Sequence, residues 1–147
     1  MHSSVNFGCC IGSTDFSAQI GLEIWLDDCK IFDQEWINKP IEFSHTFPDA
    51  DATHELKFIM KNKTHKHTIC NADGTIAQDA NLIIDQIQFN EISIGIGQIV
   101  TNLSVYKHDF NGNGAPTQDK FYEQMGCNGT VTLPFFTPVY LWLLENM

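Results

Sequence analysis

The stretch Ile20-Gly21-Leu22-Glu23-Ile24-Trp25-Leu26-Asp27-Asp28-Cys29-Lys30-Ile31-Phe32 decides the fold class. Ile20, Leu22, Ile24 and Leu26 alternate with Gly21, Glu23 and Trp25, the two-residue period of a strand with one buried face. Asp27-Asp28 then reads as a turn, and an extended pattern resumes at Cys29. The stretch therefore predicts a β-hairpin with a carboxylate-rich tip.

The same period recurs outward from this hairpin. After Pro40, Ile41, Phe43, His45 and Phe47 share one face and Glu42, Ser44 and Thr46 the other, and the Pro48–Thr53 loop follows. In the next strand Leu56, Phe58 and Met60 form the buried face. A long polar connection runs from Lys61 to Gln78, with a hairpin turn expected at Asp73-Gly74. The segment from Asn81 to Val100 is too rich in β-branched residues and glycine for a long helix and predicts two strands. Residues 103–110 predict another. In the tail, Asp119–Met125 has room for one helical turn and Val139–Leu144 reads as a final apolar strand. About nine short extended segments without βα alternation predict an all-β chain, a single-domain antiparallel β-sandwich of the jelly-roll kind.

The 147 residues, 43% of them hydrophobic, suffice for one core. No repeat, low-complexity tract or Gly/Ser linker divides residues 1–147. Eighteen acidic against eight basic residues give a formal charge of −10, and every basic residue is Lys. Without Arg or a basic cluster the chain lacks the usual equipment for nucleic acid or anionic lipid, so neither is expected as a partner. The longest apolar runs fall far short of the roughly 20 residues that span a bilayer. The five cysteines form no C-x-x-C pair, and the start MHSSVNFGCC lacks the basic and apolar regions of a secretory signal, so reduced structural thiols in a soluble chain are expected.

Candidate chemistry is sparse. Asn62 at a strand end and Asp79, Asn81 and Asp85 after the long loop offer hard oxygen ligands of the kind calcium takes, or ordinary turn caps. Asp109, Asn111 and Asn113, with Gly114, fit the first half of an EF-hand loop, but position twelve is Lys120, and a Gly-rich turn is the competing reading. His54, His65 and His67 suit either a transition-metal site or a solvated loop. Trp25, Trp36, Tyr106 and Tyr122 suit sugar stacking if exposed, whereas Trp25 and Trp142 also suit packing within the sheets. No Gly-x-Ser-x-Gly, His-Glu-x-x-His or phosphate-loop motif occurs. Glu23, Asp27, Glu35 and Glu42 offer only an unordered supply of carboxylates, so no enzymatic activity is expected.

GLEIWLDDCKIF, IEFSHTF, HELKFIMKN and NLIIDQIQFN, over residues 18–91, resemble the calcium-dependent xylan-binding carbohydrate-binding modules. Asn62, Asn81, Leu82, Asp85 and Ile87 match that family's motif, while Ala80 stands where an arginine or aromatic is common. The resemblance implies a β-sandwich holding Ca2+ near these residues and contacting sugar hydroxyls. A second resemblance covers a C-terminal extension, residues 101–147. YKHDFNGNG, QDKFYEQMGCNGTV and TPVYLWLLENM are similar to small virion structural proteins of marine cyanobacterial tailed phages. Together they imply a non-enzymatic virion protein, a capsid decoration or a tail or fibre component, assembled in the host cytoplasm and contacting other virion proteins or copies of itself. The alternative they imply is a calcium-dependent module recognising host surface polysaccharide.

Overall fold

The computed structural model describes residues 4–63, 68–70, 76–90, 92–93, 99–108, 117–126 and 128–146. Its strands are β1 (Ser4–Ser13), β2 (Gly21–Leu26), β3 (Cys29–Gln34), β4 (Ile41–Pro48), β5 (Ala52–Lys61), β6 (Thr68–Cys70), β7 (Ile76–Asp79), β8 (Leu82–Phe89) and β9 (Ile92–Ser93). After the short helix α1 (Ile99–Leu103) come β10 (Val105–His108), β11 (Thr117–Asp119), β12 (Gln124–Met125), β13 (Gly129–Thr137) and helix α2 (Val139–Asn146). One sheet has the order β12-β8-β1-β4 with β9 paired to β8, the other β11-β10-β13-β5-β2-β3, and β6 pairs with β7. These antiparallel sheets form the β-sandwich that the alternating sequence predicts.

The hairpin at Asp27-Asp28 forms as expected, with Leu26 opposite Cys29. Asp27 takes a positive φ of 55°, and its carboxylate accepts the N–H of Glu55 at 2.9 Å, which ties the turn to β5. The buried faces follow the sequence too: Leu22, Ile24, Leu56, Phe58 and Met60 come from one sheet, Val5, Phe7, Cys9 and Ile11 from the other. Phe7 meets Phe58 across the gap at 6.2 Å and Phe89 beside it at 5.8 Å, offset geometries that aromatic pairs favour.

On β8 the inward set is Leu82, Ile84, Ile87 and Phe89, so its parity changes after Ile84. The cause is a bulge. Between the pairs Gly8–Gln88 and Cys10–Asp85, β8 carries one residue more than β1, and Gln86 takes a φ of 51°. The extra residue lets both halves of the strand bury their apolar side chains.

Three expectations for the second half of the chain are corrected. Val139–Leu144 is not a strand but most of α2, because Val139, Trp142 and Leu143, at helical spacing, bury into the core. Asp49 Oδ1 accepts the Val139 N–H at 2.8 Å and caps the helix from a distant loop. Asp119–Met125 contains no helical turn: β11 and β12 occupy its ends, and Phe121 is buried against Phe58 at 6.3 Å. Ile99–Leu103, within the stretch read as two strands and the start of the next, is the helix α1.

Candidate functional site

β1, β5, β8 and β13 run the length of the sandwich and define two ends. At one end lie Asn62, Lys63, Asn81, Gly126 and Asn128. Asn62 donates its amide to the Glu35 carbonyl at 2.9 Å and carboxylate at 3.0 Å. Lys63 bonds the Gly126 carbonyl at 2.5 Å, and the Asn81 amide reaches Gln124 at 3.3 Å. The fold thus brings Asn62 and Asn81 to one end, with Asp79 two residues before Asn81 at the end of β7. Asp85 stands apart. It is four residues along β8, about 13 Å at roughly 3.3 Å per residue, opposite Cys10.

Two amide oxygens are far fewer than the about six to eight that calcium takes. No three His, Cys, Asp or Glu side chains converge on a metal position among the described residues. The described donors therefore do not form a calcium shell by themselves. The Asp79 side chain, Asp109, Asn111, Asn113, His65, His67 and the Asp73-Gly74 turn lie outside the described residues. His54 is at the opposite end of the sandwich.

The outer face of β2, β3 and β5 carries an ionic hub. Lys61 Nζ bonds Glu23 at 3.0 Å, Asp33 at 2.6 Å and Glu35 at 2.9 Å. Trp25 Nε1 donates to Glu23 at 2.8 Å, and Lys30 sits 5.8 Å from the Trp25 ring centroid. Burial acts to lower the Lys61 pKa, but the bonds to Asp33, Glu35 and Glu23 outweigh it and raise it. The Trp25 and Lys61 bonds hold Glu23 below the usual carboxylate range, and Lys61 does the same for Asp33 and Glu35. Glu23 and Glu35 are thus committed to one lysine as anions, and neither is poised as a proton donor. Glu42 is on the other sheet.

The folded-state pKa values of these carboxylates are depressed, so their contribution is present above the unfolded value of about 4 and is lost as pH falls through the folded one. That of Lys61 is raised, so its contribution is present below the unfolded value of about 10 and is lost only at still higher pH. Lys61→Met is expected to lower stability near neutral pH, mainly through the bond to the half-buried Glu23, since the bonds to the exposed Asp33 and Glu35 are screened by solvent. The cost should shrink on acidification as the stranded carboxylates take up protons. Denaturant titrations of wild type and variant at several pH values check this, and a pH-independent difference would contradict it.

A groove of about 320 Å³ crosses the outer face of β1, β4 and β8, lined by Asn6, Cys10, Glu42, Ser44, Gln86 and Gln88 among others. Its thiol is not activated: burial, then Asp85 and Glu42, push the Cys10 pKa up. Burial likewise pushes Cys9 up to about 12.

The other end of the sandwich holds a cleft of about 750 Å³. It lies between the Asp27-Asp28 turn, Thr53, Glu55 and Lys57 of β5, Pro134 and Phe136 of β13, and Glu145 and Asn146 at the end of α2. His54 and Trp142 also border it, with Leu103 from α1. His54 bonds Asp27 at 2.8 Å through Nδ1 and Thr137 Oγ1 at 3.1 Å through Nε2, and its ring stacks on Phe135 at 5.1 Å. This Asp-His-Thr line has the order of a nucleophile relay, but Thr137 is wholly buried and its hydroxyl bonds the Ala50 carbonyl. It positions the turn instead.

Of the aromatic candidates, Trp25 is half-buried and Tyr106 and Trp142 are buried, whereas Trp36 and Tyr122 are exposed. Phe136, half-buried in the cleft, is not among them. It is one of the alternating outward residues of β13, and no local pattern marks it.

A solved structure titled "vCBM60 in complex with galactobiose" superposes on this chain with a TM-score of 0.51, covering 87% of this chain and 96% of that one at 13% identity. The likeness is one of fold. The chain shares the β-sandwich fold of that structure, the fold that the resemblance of residues 18–91 implied. No protein-family model matches the sequence, and no curated protein matches it.

Proposed function

We propose that this protein is a non-catalytic glycan-binding β-sandwich whose ligand lies in the cleft at the Asp27-Asp28 end. The observation that carries the reading is the composition of that cleft, a space of about 750 Å³ within the range of small-ligand sites. Phe136 supplies an aromatic surface for the C–H face of a sugar, and Asp28, Thr53, Glu55, Lys57 and Asn146 supply hydroxyl partners. A galactose disaccharide is the ligand of the fold neighbour, which makes galacto- and xylo-oligosaccharides the first probes.

Calorimetric titration of the chain with these oligosaccharides is expected to give binding that Phe136→Ala weakens about ten-fold, equivalent to ~1.4 kcal/mol. The cleft is at the far end from Asn62 and Asn81, so binding should persist in chelator. Affinity unchanged by Phe136→Ala, or no binding to any glycan, would overturn the reading.

A second reading, a virion component acting through contacts between subunits, draws on the resemblance of residues 101–147 and on one surface. The outward side of α2 presents Tyr140, Leu141 and Leu144, the last 72% exposed, a larger apolar surface than one short helix needs to leave uncovered. With the segment helical, a partner would meet a helix face and not a strand edge. Sedimentation of wild type and Leu144→Asp tests this, the variant shifting toward monomer if α2 is the contact.

A further inference from the structure

The strand registers carry the glycan reading beyond the cleft, and the length selectivity they imply rests on that reading. On β2, β5 and β13 buried positions alternate with outward ones, and Trp25, Lys57, Thr132 and Phe136 all belong to the outward set. Phe136 stands opposite Thr53 of β5, and Trp25 opposite Lys57 of the same strand. Both aromatic residues therefore lie on one outer face, two strand spacings apart across it and four residues apart along it. That offset is about 10 Å by about 13 Å, or about 16 Å on the diagonal.

The cleft follows this diagonal. Its lining includes Phe136, Glu55 and Lys57, and Lys57 is the residue paired with Trp25. Glu55 and Lys57, 3.4 Å apart, thus stand between the two aromatics as an acceptor and a donor for hydroxyls.

Trp25 is held ready at the far end of the path. Its indole N–H is tied to Glu23 at 2.8 Å, and Glu23 in turn to Lys61 at 3.0 Å. The ionic hub therefore orients the indole before any ligand arrives, which lowers the cost of binding there. Lys30 reaches over the ring at 5.8 Å from its centroid. It is exposed on the edge strand β3, where a cation–π contact is weak, and a sugar displaces it readily.

Bond lengths of about 1.5 Å let two linked pyranose rings span only about 10 Å, too short to meet both aromatics. We propose that the ligand is an oligosaccharide longer than a disaccharide, crossing β13, β5 and β2 obliquely with one sugar against Phe136 and another against Trp25. A disaccharide, the size of the fold neighbour's ligand, fills the Phe136 end alone. Trp25 is then a specificity-determining residue. A chain that reaches it gains a second stacking contact without a second loss of overall translational and rotational freedom.

The test is calorimetric titration of the full chain with xylo- and galacto-oligosaccharides from di- to hexasaccharide. Affinity is expected to rise at least about ten-fold from the disaccharide to the hexasaccharide. Trp25→Ala should erase that rise and leave disaccharide affinity unchanged, while Trp25→Phe, which keeps an aromatic face, should restore most of it. Phe136→Ala should weaken binding at every length. A cooperative melting transition shows that each variant folds, and Trp25→Leu, apolar without an aromatic face, carries the same test should Trp25→Ala not fold.

Equal affinity at all lengths, weakened throughout by Phe136→Ala, would leave the cleft standing and overturn the oblique path. A rise with length that survives in folded Trp25→Ala would assign it to the greater number of registers a long chain offers, and would overturn the role of Trp25. The path is overturned as well if Trp25→Ala weakens the disaccharide as much as the hexasaccharide, because the ring would then act through the shape of the cleft. If no oligosaccharide of any length binds, the glycan reading falls and this one with it.

Discussion

Phe89→Ala is expected to cost about 3–5 kcal/mol of folding stability, the range for removing a large aromatic from a packed core. Phe89 is wholly buried on β8. Its ring lies 5.8 Å from Phe7 of the same sheet, 4.9 Å from Phe135 of the facing sheet and 5.8 Å from Trp142 of α2. One side chain therefore joins both sheets and the C-terminal helix, and Trp142 also packs on Phe135 at 5.8 Å. The hole left by alanine would border three elements whose backbones are fixed by strand pairing and by the Asp49 cap, so little of it can collapse. Urea denaturation should show the midpoint falling with the slope unchanged, and Phe89→Leu should recover much of the loss because it refills most of the volume. A cost below about 1 kcal/mol would mean that the cluster is not what holds α2 to the sandwich.

The contrast between the two halves of the chain shows what a sequence can disclose. The Asp27-Asp28 hairpin was legible because period-two alternation runs up to two adjacent turn formers, so pattern and turn chemistry agree. α2 was not, because in Val139–Leu144 every residue is apolar and strand and helix periods fit equally. Its packing decides: Val139, Trp142 and Leu143 are buried, and the Trp142 ring meets Phe89 and Phe135. The β8 bulge left a readable trace, the change of parity from Leu82 and Ile84 to Ile87 and Phe89, that a search for strict alternation passes over. Nor was the cleft visible. Its walls come from residues 27–28, 53–57, 134–136 and 142–146, whose carboxylates look like ordinary solvated surface until antiparallel pairing brings them to one end. Asn62 and Asn81, by contrast, follow from strand ends alone, and the fold does set them at a common end.

A glycine series separates positions where backbone crowding forbids a side chain from positions where glycine is incidental. Gly129 starts β13 opposite His108 of β10. A Cβ there would overlap the Lys107 carbonyl oxygen and approach His108 Cβ to 2.9 Å and Tyr106 Cε1 to 3.0 Å. The first of these is backbone in a paired strand, so relief requires β10 to move away from β13 and weaken the ladder along which Tyr106 meets Val131. Gly129→Ala is therefore expected to cost about 3 kcal/mol, at the upper end for inserting one carbon into a packed site. Gly8 is the control at intermediate crowding: its added Cβ would meet the Gln88 side chain at 3.3 Å, a flexible amide able to swing toward the open groove, and a cost below about 1 kcal/mol is expected. Gly12 is the open case, with the Phe16 ring 3.9 Å away. Alanine there meets ordinary contact, and by narrowing the unfolded ensemble it should be neutral or stabilising by up to about 1 kcal/mol. Melting temperatures of the three variants should fall in the order Gly12→Ala, Gly8→Ala, Gly129→Ala. A Gly129→Ala protein as stable as wild type would mean that β10 tolerates separation from β13, and that the sheet is held by β13, β5, β2 and β3 without it.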